Sequence, residues 1–292
     1  MSEMTRRDVL KTAGLTAAAS GLVPGVSAAQ MAQPPIAKPS KQRIKQSVCR
    51  WCYDKIPLKE FFQAVVDSGL TAVDLLQPAE WEVAKEFGLT CSMGYANAGS
   101  IPNGLNNPAY HELIVTNMTQ TIPKAKAAGV PNLIVFFGNR GNIADADGIK
   151  NSIACLNRIK PVAEEHGVTV CVELLNSKVN HKDYAGDKTP YGVEIMSGVG
   201  SPRVKLLYDI YHMQIMEGDV IRTIRTYKDH IGHYHTGGVP GRNELDPTQE
   251  LNWPAIVQAI IDTGYTGYMA HEFIPKRDPI TSLREAIALC DV

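Results

Sequence analysis

The sequence predicts an α/β protein of the eight-stranded parallel barrel class, the (β/α)8 or TIM barrel. Three observations predict it. From Arg43 to the C-terminus, short apolar runs alternate with longer amphipathic stretches eight times, the grammar of a parallel sheet wrapped in helices. The runs are close to continuously apolar, as in NLIVFF at 132–137, which strands buried on both faces require. Once an N-terminal extension is set aside, the chain of 292 residues, 44% hydrophobic and 20% charged, retains the ~250 residues that one barrel needs. An open doubly wound sheet is the competing architecture. It usually places a glycine-rich phosphate turn after its first strand, and CRWCYDKIPLKE contains no glycine.

The elements follow in order. Residues 43–53 are the expected first strand, and 57–68 its helix, with a proline start and Gly69 as its stop. Strand two is 72–76, followed by a helix over 79–87 that Gly88 ends. Strand three, 89–95, precedes a long helix over 108–128 that stops at Gly129. Strand four is 132–137, and its helix, 144–166, is again stopped by a glycine, Gly167. Strand five runs over 168–175, then a polar loop to Pro190 and a helix from Tyr191. Strand six opens on Val204, Leu206 and Leu207 and brings Asp209 and His212 to its end. A helix over 220–231 and strand seven at 233–236 come next. A Gly/Pro-rich loop, a helix over 253–263, strand eight at 268–273 and a helix over 280–289 complete the chain. Residues 43–292 therefore form one expected domain.

The first residues belong to a different kind of segment. Thr5-Arg6-Arg7-Asp8-Val9-Leu10-Lys11, a weakly apolar stretch to Val23 and the small residues Val26-Ser27-Ala28 resemble a bacterial twin-arginine export signal over 1–29. Gly14, Gly21, Pro24 and Gly25 interrupt the stretch well short of a membrane span. The expectation is export to the periplasm, with residues 30–42, rich in proline, as a tether. That route carries folded proteins, a hint that a metal or cofactor is loaded inside the cell. The net charge is −1, with acidic and basic residues interspersed, so neither nucleic acid nor, after signal removal, a membrane surface is an expected partner.

Strand ends locate the chemistry. Alternation in VTVCVELLN places Thr169, Cys171 and Glu173 on one face, HYHT pairs His233 with His235, and YMAHEF aligns Tyr268, Ala270 and Glu272. With Asp209, four successive strands present Glu173, Asp209, His235 and Glu272 at the same edge, the C-terminal face where barrel enzymes carry their sites. Each residue alone has a structural explanation, such as a lysine partner for Glu173 or a helix start for Glu272. Buried carboxylates are costly unless paired or metal-bound, so four in register favour one site. Three carboxylates and an imidazole suit Mn²⁺ or Mg²⁺ better than a structural Zn²⁺. Glu173 and Glu272, on opposite sides, suit transfer of a proton between neighbouring carbons of an α-hydroxycarbonyl compound through an enediolate.

YDIYHMQIMEGD, preceded by VELLN and followed by IGHYH and HEF, resembles the hydroxypyruvate isomerase family, within the xylose isomerase-like barrel superfamily that also contains ketose 3-epimerases. The similarity runs from about Arg43 to the C-terminus. It implies a divalent metal on Glu173, Asp209, His235 and Glu272, the two glutamates as acid and base, and His212 against substrate. The implied reaction is the interconversion of hydroxypyruvate and tartronate semialdehyde. Hydroxypyruvate isomerases tend to carry glutamine where this chain has His235, whereas the epimerases carry histidine. Ketose 3-epimerisation and keto-sugar lysis or hydrolysis at the same metal are therefore alternatives, as is a non-catalytic exported sugar-binding barrel.

Loop residues supply further candidates for binding a small hydroxycarbonyl or sugar substrate. These are His181 and Lys182 after strand five, Arg242 and Glu244 after strand seven, and Arg50 and Trp51 after strand one. Cys49 and Cys52 form a lone CxxC, for which an oxidising compartment leaves a bridge open; the other four cysteines read as buried apolar residues. Trp253, Tyr265 and the last helix are candidates for a homodimer face.

Overall fold

The structure, a computed structural model, describes residues 41–292. The export signal expected over 1–29 and all but the last two residues of the tether lie outside the described residues. Those two residues are fastened to the C-terminus: the backbone N–H groups of Lys41 and Gln42 donate to the Asp291 carboxylate at 3.0 and 2.8 Å.

Eight parallel strands, β1 (Lys45–Cys49), β2 (Ala72–Leu76), β3 (Thr90–Tyr95), β4 (Asn132–Phe136), β5 (Thr169–Glu173), β6 (Val204–Asp209), β7 (Ile231–Thr236) and β8 (Tyr268–His271), pair in sequence order, and β8 closes on β1. The helices between them are α1 (Leu58–Asp67), α2 (Trp81–Glu86), α3 (His111–Ala128), α4 (Asp145–His166), α5 (Thr189–Val199), α6 (Ile210–Met216), α7 (Val220–Tyr227), α8 (Trp253–Asp262) and α9 (Pro279–Cys290). Gly129 and Gly167 end α3 and α4 with φ of 75° and 66°, the left-handed conformation that spares glycine a Cβ clash.

Apolar side chains fill two regions. The large layer lies between strands and helices, and a small plug of Cys49, Leu75, Met93, Ile134, Cys171, Leu207 and Ala270 fills the barrel interior. The plug supports whatever stands at the C-terminal strand ends above it.

Four expectations need correction. The first strand stops at Cys49, because Arg50–Tyr53 winds into a 3-10 turn whose Arg50 guanidinium donates to the carbonyls of Tyr53 and Ile56. Arg50 is thus committed to its own turn and does not wall the site. His212 lies in α6, not at the end of a strand. Trp253 is fully buried, and the Tyr265 hydroxyl donates inward to backbone carbonyls, as with Tyr268 O at 2.8 Å, so neither offers an exposed dimer face. Cys49 and Cys52 are free thiols, as are the other four cysteines.

The β2–β3 pair is irregular in a way that matters above. Val73 pairs with Cys91, Asp74 with Met93, and Leu76 with Gly94. One extra residue, Ser92, thus enters β3, and one, Leu75, then enters β2 at φ +56°. Paired bulges of this kind re-aim side chains. Here they turn Asp74, Leu75, Ser92 and Met93 all towards the interior.

Candidate active site

Glu173 ends β5, Asp209 ends β6, His235 is the last residue but one of β7, and Glu272 follows β8 directly. Parallel register carries all four to one edge, where one ligand atom from each lies within 4.8 Å of the others, every residue buried. Two smaller clusters, Cys49–His235–Glu272 and Asp74–His233–His235, share His235 with it.

His235 is the pivot. Its Nε2 lies 3.1 Å from Asp74 Oδ1, while Nδ1 faces the carboxylates at 2.6 Å from Glu272 Oε2, 3.5 Å from Glu173 Oε1 and 4.0 Å from Asp209 Oδ2. Despite these distances Nδ1 makes no aligned hydrogen bond. A nitrogen so placed suits a lone pair directed at a cation.

Arg242 reaches the cluster from the loop after β7. It is buried, its Nη2 donates to Asp209 Oδ2 at 2.6 Å and to Glu272 Oε2, and its guanidinium lies over the Tyr211 ring at 4.9 Å. The Trp51 indole N–H donates to the other oxygen of Glu272 at 2.6 Å.

His212 has a fixed tautomer. Its Nδ1 accepts from the backbone N–H of Asn176 at 3.1 Å, so in the neutral ring the proton sits on Nε2. Burial, then the charge of Arg242, hold its pKa well below the ordinary value, so the ring is neutral. Yet Nε2 lies 2.6 Å from Arg242 Nη1, which is also a donor. An acceptor oxygen is the partner this position calls for.

The carboxylates are driven apart electrostatically. Burial, reinforced by the charges of Glu272 and Asp209, raises Glu173 to about 7. Burial alone would raise Glu272 too, but Arg242 and His235 hold it at about 2. Burial raises Asp209 against the opposing charge of Arg242. Burial would lower His235, yet Glu272 keeps it well above the ordinary value.

A cavity of about 430 Å³ opens over the cluster. Its lining combines the polar Glu173, Glu272, Arg242, His212, His181 and Asn180 with Leu75, Tyr95, Ile101, Ile134, Phe136 and Leu175. His181 packs its ring 5.2 Å from that of His212, and Trp51 and Ile274 stand exposed at the mouth. Neither Glu244 nor Lys182 lines it. The buried Glu244 carboxylate accepts from the backbone N–H groups of Lys276 and Arg277 at 2.8 and 3.0 Å and from the Ser282 hydroxyl at 3.0 Å, so it anchors a loop outside the cavity lining.

Sequence reasoning missed Asp74, Asn176 and Asn180. Asp74 had a signal, being the only charge in AVDLL, but simple alternation gives no hint that it meets His235. Asn176 and Asn180 matter only because the loop after β5 folds back on α6, where Asn180 Oδ1 accepts from the Tyr211 hydroxyl at 2.8 Å.

The donor set fits a hard or borderline divalent cation: three carboxylates, one imidazole nitrogen without an aligned partner, and one arginine leave a net negative, buried cluster.

Known proteins agree with this architecture. The chain is 27% identical over 238 residues to a human protein named putative hydroxypyruvate isomerase, covering 80% of each chain. It is 30% identical over 235 residues to the 2-oxo-tetronate isomerase of Cupriavidus necator, covering 77% of this chain and 90% of the other. The crystal structure of an AP endonuclease, family 2, from Brucella melitensis superposes with a TM-score of 0.75 at 23% identity, over 82% of this chain and 97% of that one; it shares the fold. The profile of the xylose isomerase-like TIM barrel family matches residues 55–291, and the chain belongs to that family.

Proposed function

We propose that this isomerase interconverts a small α-hydroxycarbonyl compound of the hydroxypyruvate or 2-oxo-tetronate kind with its neighbouring-carbon isomer. Glu173 and Glu272 transfer the proton, and Glu173, Asp209, His235 and Glu272 hold a divalent cation, Mn²⁺ or Mg²⁺. The observation that carries this reading is the convergence of those four buried residues within 4.8 Å, two of them glutamates in unlike surroundings, Glu272 held by Arg242 and Trp51 and Glu173 facing His235. Paired acids whose environments drive their pKa values apart are suited to separate acid and base roles.

A bound divalent cation would polarise the substrate carbonyl and its adjoining hydroxyl. Glu173 or Glu272 removes the proton from the hydroxyl-bearing carbon, and a proton returns at the neighbouring carbon while the hydroxyl proton moves to the former carbonyl oxygen. The His212 Nε2–H donates to a substrate oxygen, its orientation fixed by Asn176. Among the described residues Arg242 is the one arginine lining the cavity, and it takes a substrate carboxylate or hydroxyl when it leaves its present partners. The apolar wall keeps water from the exposed carbanionic carbon.

Ketose 3-epimerisation is the second reading. Histidine at 235 and a cavity of about 430 Å³ with many apolar lining residues favour it, since a larger neutral sugar fills more of that space than a three-carbon acid does.

Solvent deuterium incorporation into hydroxypyruvate, tartronate semialdehyde, 2-oxo-tetronate and several ketoses, with Mn²⁺ or Mg²⁺ and with chelator, tests both. Metal-dependent exchange with a changed carbonyl position supports the isomerase, and exchange with inverted configuration the epimerase. No exchange in any compound overturns both.

A further inference from the structure

We propose that Asp74 is a positioning residue that decides which nitrogen of His235 faces the cluster of Glu173, Asp209 and Glu272. The inference rests on the reading of that cluster as a cation site.

A neutral imidazole carries one ring proton, and the proton settles on the nitrogen that faces the better acceptor. With a cation held by the three carboxylates, Asp74 Oδ1, 3.1 Å from Nε2, would be the acceptor left for the ring proton, and Nδ1 would keep its lone pair for the cation. Without Asp74, the nearest acceptor to the ring is Glu272 Oε2, 2.6 Å from Nδ1. The proton would then sit on Nδ1, which removes His235 as a ligand and sets its N–H in competition with the cation for Glu272 Oε2.

Asp74 is itself held in place. Ser92 Oγ donates to its Oδ2 at 2.5 Å, His233 Nε2 lies 3.0 Å from the same oxygen, and Ser47 Oγ lies 2.9 Å from Ser92 Oγ. Delivering both Asp74 and Ser92 to the interior takes the paired bulges and a leucine at φ +56°, a conformation that costs a branched side chain energy. A wholly buried carboxylate would be a poor choice for packing alone. Outer groups of this kind orient metal-binding histidines, and their loss typically weakens metal affinity ~10–100-fold.

Zn²⁺, being diamagnetic, allows a test that needs no turnover. Long-range ¹H–¹⁵N spectra of the Zn²⁺-loaded protein, with the His235 ring assigned by its loss in His235→Gln, should show Nε2 protonated and Nδ1 shifted by the metal. Calorimetric titration of Asp74→Asn should show Zn²⁺ binding weakened ~10–100-fold, because an amide N–H facing Nε2 drives the proton to Nδ1. Ser92→Ala, which only loosens Asp74, should weaken binding by less. A wild-type ring protonated on Nδ1, or a folded Asp74→Asn that binds Zn²⁺ as tightly as wild type, overturns the proposal alone. If Asp74→Asn does not fold, the wild-type ring spectrum and Ser92→Ala decide it. A wild-type protein that binds no Zn²⁺ overturns the cation-site reading and this proposal together.

Discussion

At the scale of single residues, the chemistry rests on groups whose surroundings contradict their ordinary behaviour. Glu173→Gln and Glu272→Gln should each reduce deuterium exchange by at least ~10²-fold, the usual scale of a lost general acid or base. Glu173→Gln should not lower the melting temperature, because burial already disfavours its charge, whereas Glu272→Gln should lower it, because it removes the charged partner of buried Arg242; mass spectrometry and thermal denaturation check the pair. Glu244 gives the opposite case. It was grouped with Arg242 as a substrate ligand because both stand in one charged loop, yet only Arg242 reaches the cavity. Despite its burial, which acts to raise it, hydrogen bonds from Arg277, Lys276 and Ser282 hold the Glu244 carboxyl below the usual range. A lowered folded pKa stabilises above the unfolded pKa, ~4.3, and that contribution is lost as pH falls through the folded value. Glu244→Gln should therefore cost ~1–3 kcal/mol in urea unfolding at pH 7, where a charged acceptor is lost, and progressively less as the pH falls through the folded value.

At the scale of elements, the strands and helices were legible because periodicity and punctuation agree. Gly129 and Gly167 stop α3 and α4 where expected, and nothing lies within 4 Å of a Cβ added at Gly129. Gly129→Ala should thus destabilise by ~1–2 kcal/mol through backbone strain alone, with no change in deuterium exchange. Thermal and chemical denaturation beside the exchange assay would check it. Two local features were less legible. The 3-10 turn at Arg50–Tyr53 continues an apolar strand without a glycine or proline to mark the change, and the β2–β3 bulges leave alternation in AVDLL misleading. The first is held by a side chain folding onto its own turn, Arg50 on the Tyr53 and Ile56 carbonyls, which periodicity does not register; the second is decided by distant residues, Asp74 by His233 and His235.

At the scale of the whole molecule, the barrel places several buried acids within reach of few cations, and binding a divalent ion should stabilise the entire fold. An ion at a hundred times its Kd adds ~2.7 kcal/mol, and a domain of this size gains ~2–4 °C for each kcal/mol. Adding Mn²⁺ to chelator-treated protein should therefore raise the melting temperature by ~5–10 °C, a shift that Asp209→Asn should largely abolish. An unchanged melting temperature would count against the cation site.

The sequence by itself determined the barrel, the order of its elements and the four strand-end residues Glu173, Asp209, His235 and Glu272. Periodicity and strand direction are local properties, and a parallel barrel converts them directly into a shared edge. Only the tertiary structure decided that Arg242 enters the cluster while Glu244 ties down a loop, that Asn176 sets the tautomer of His212, and that Asp74 stands behind His235. These are pairings between residues far apart in the chain, with Asp74 and His235 separated by 161 positions. Hydrogen-bond partners at that distance leave no periodic trace, because their geometry is fixed by the closing of the barrel and not by their neighbours in sequence.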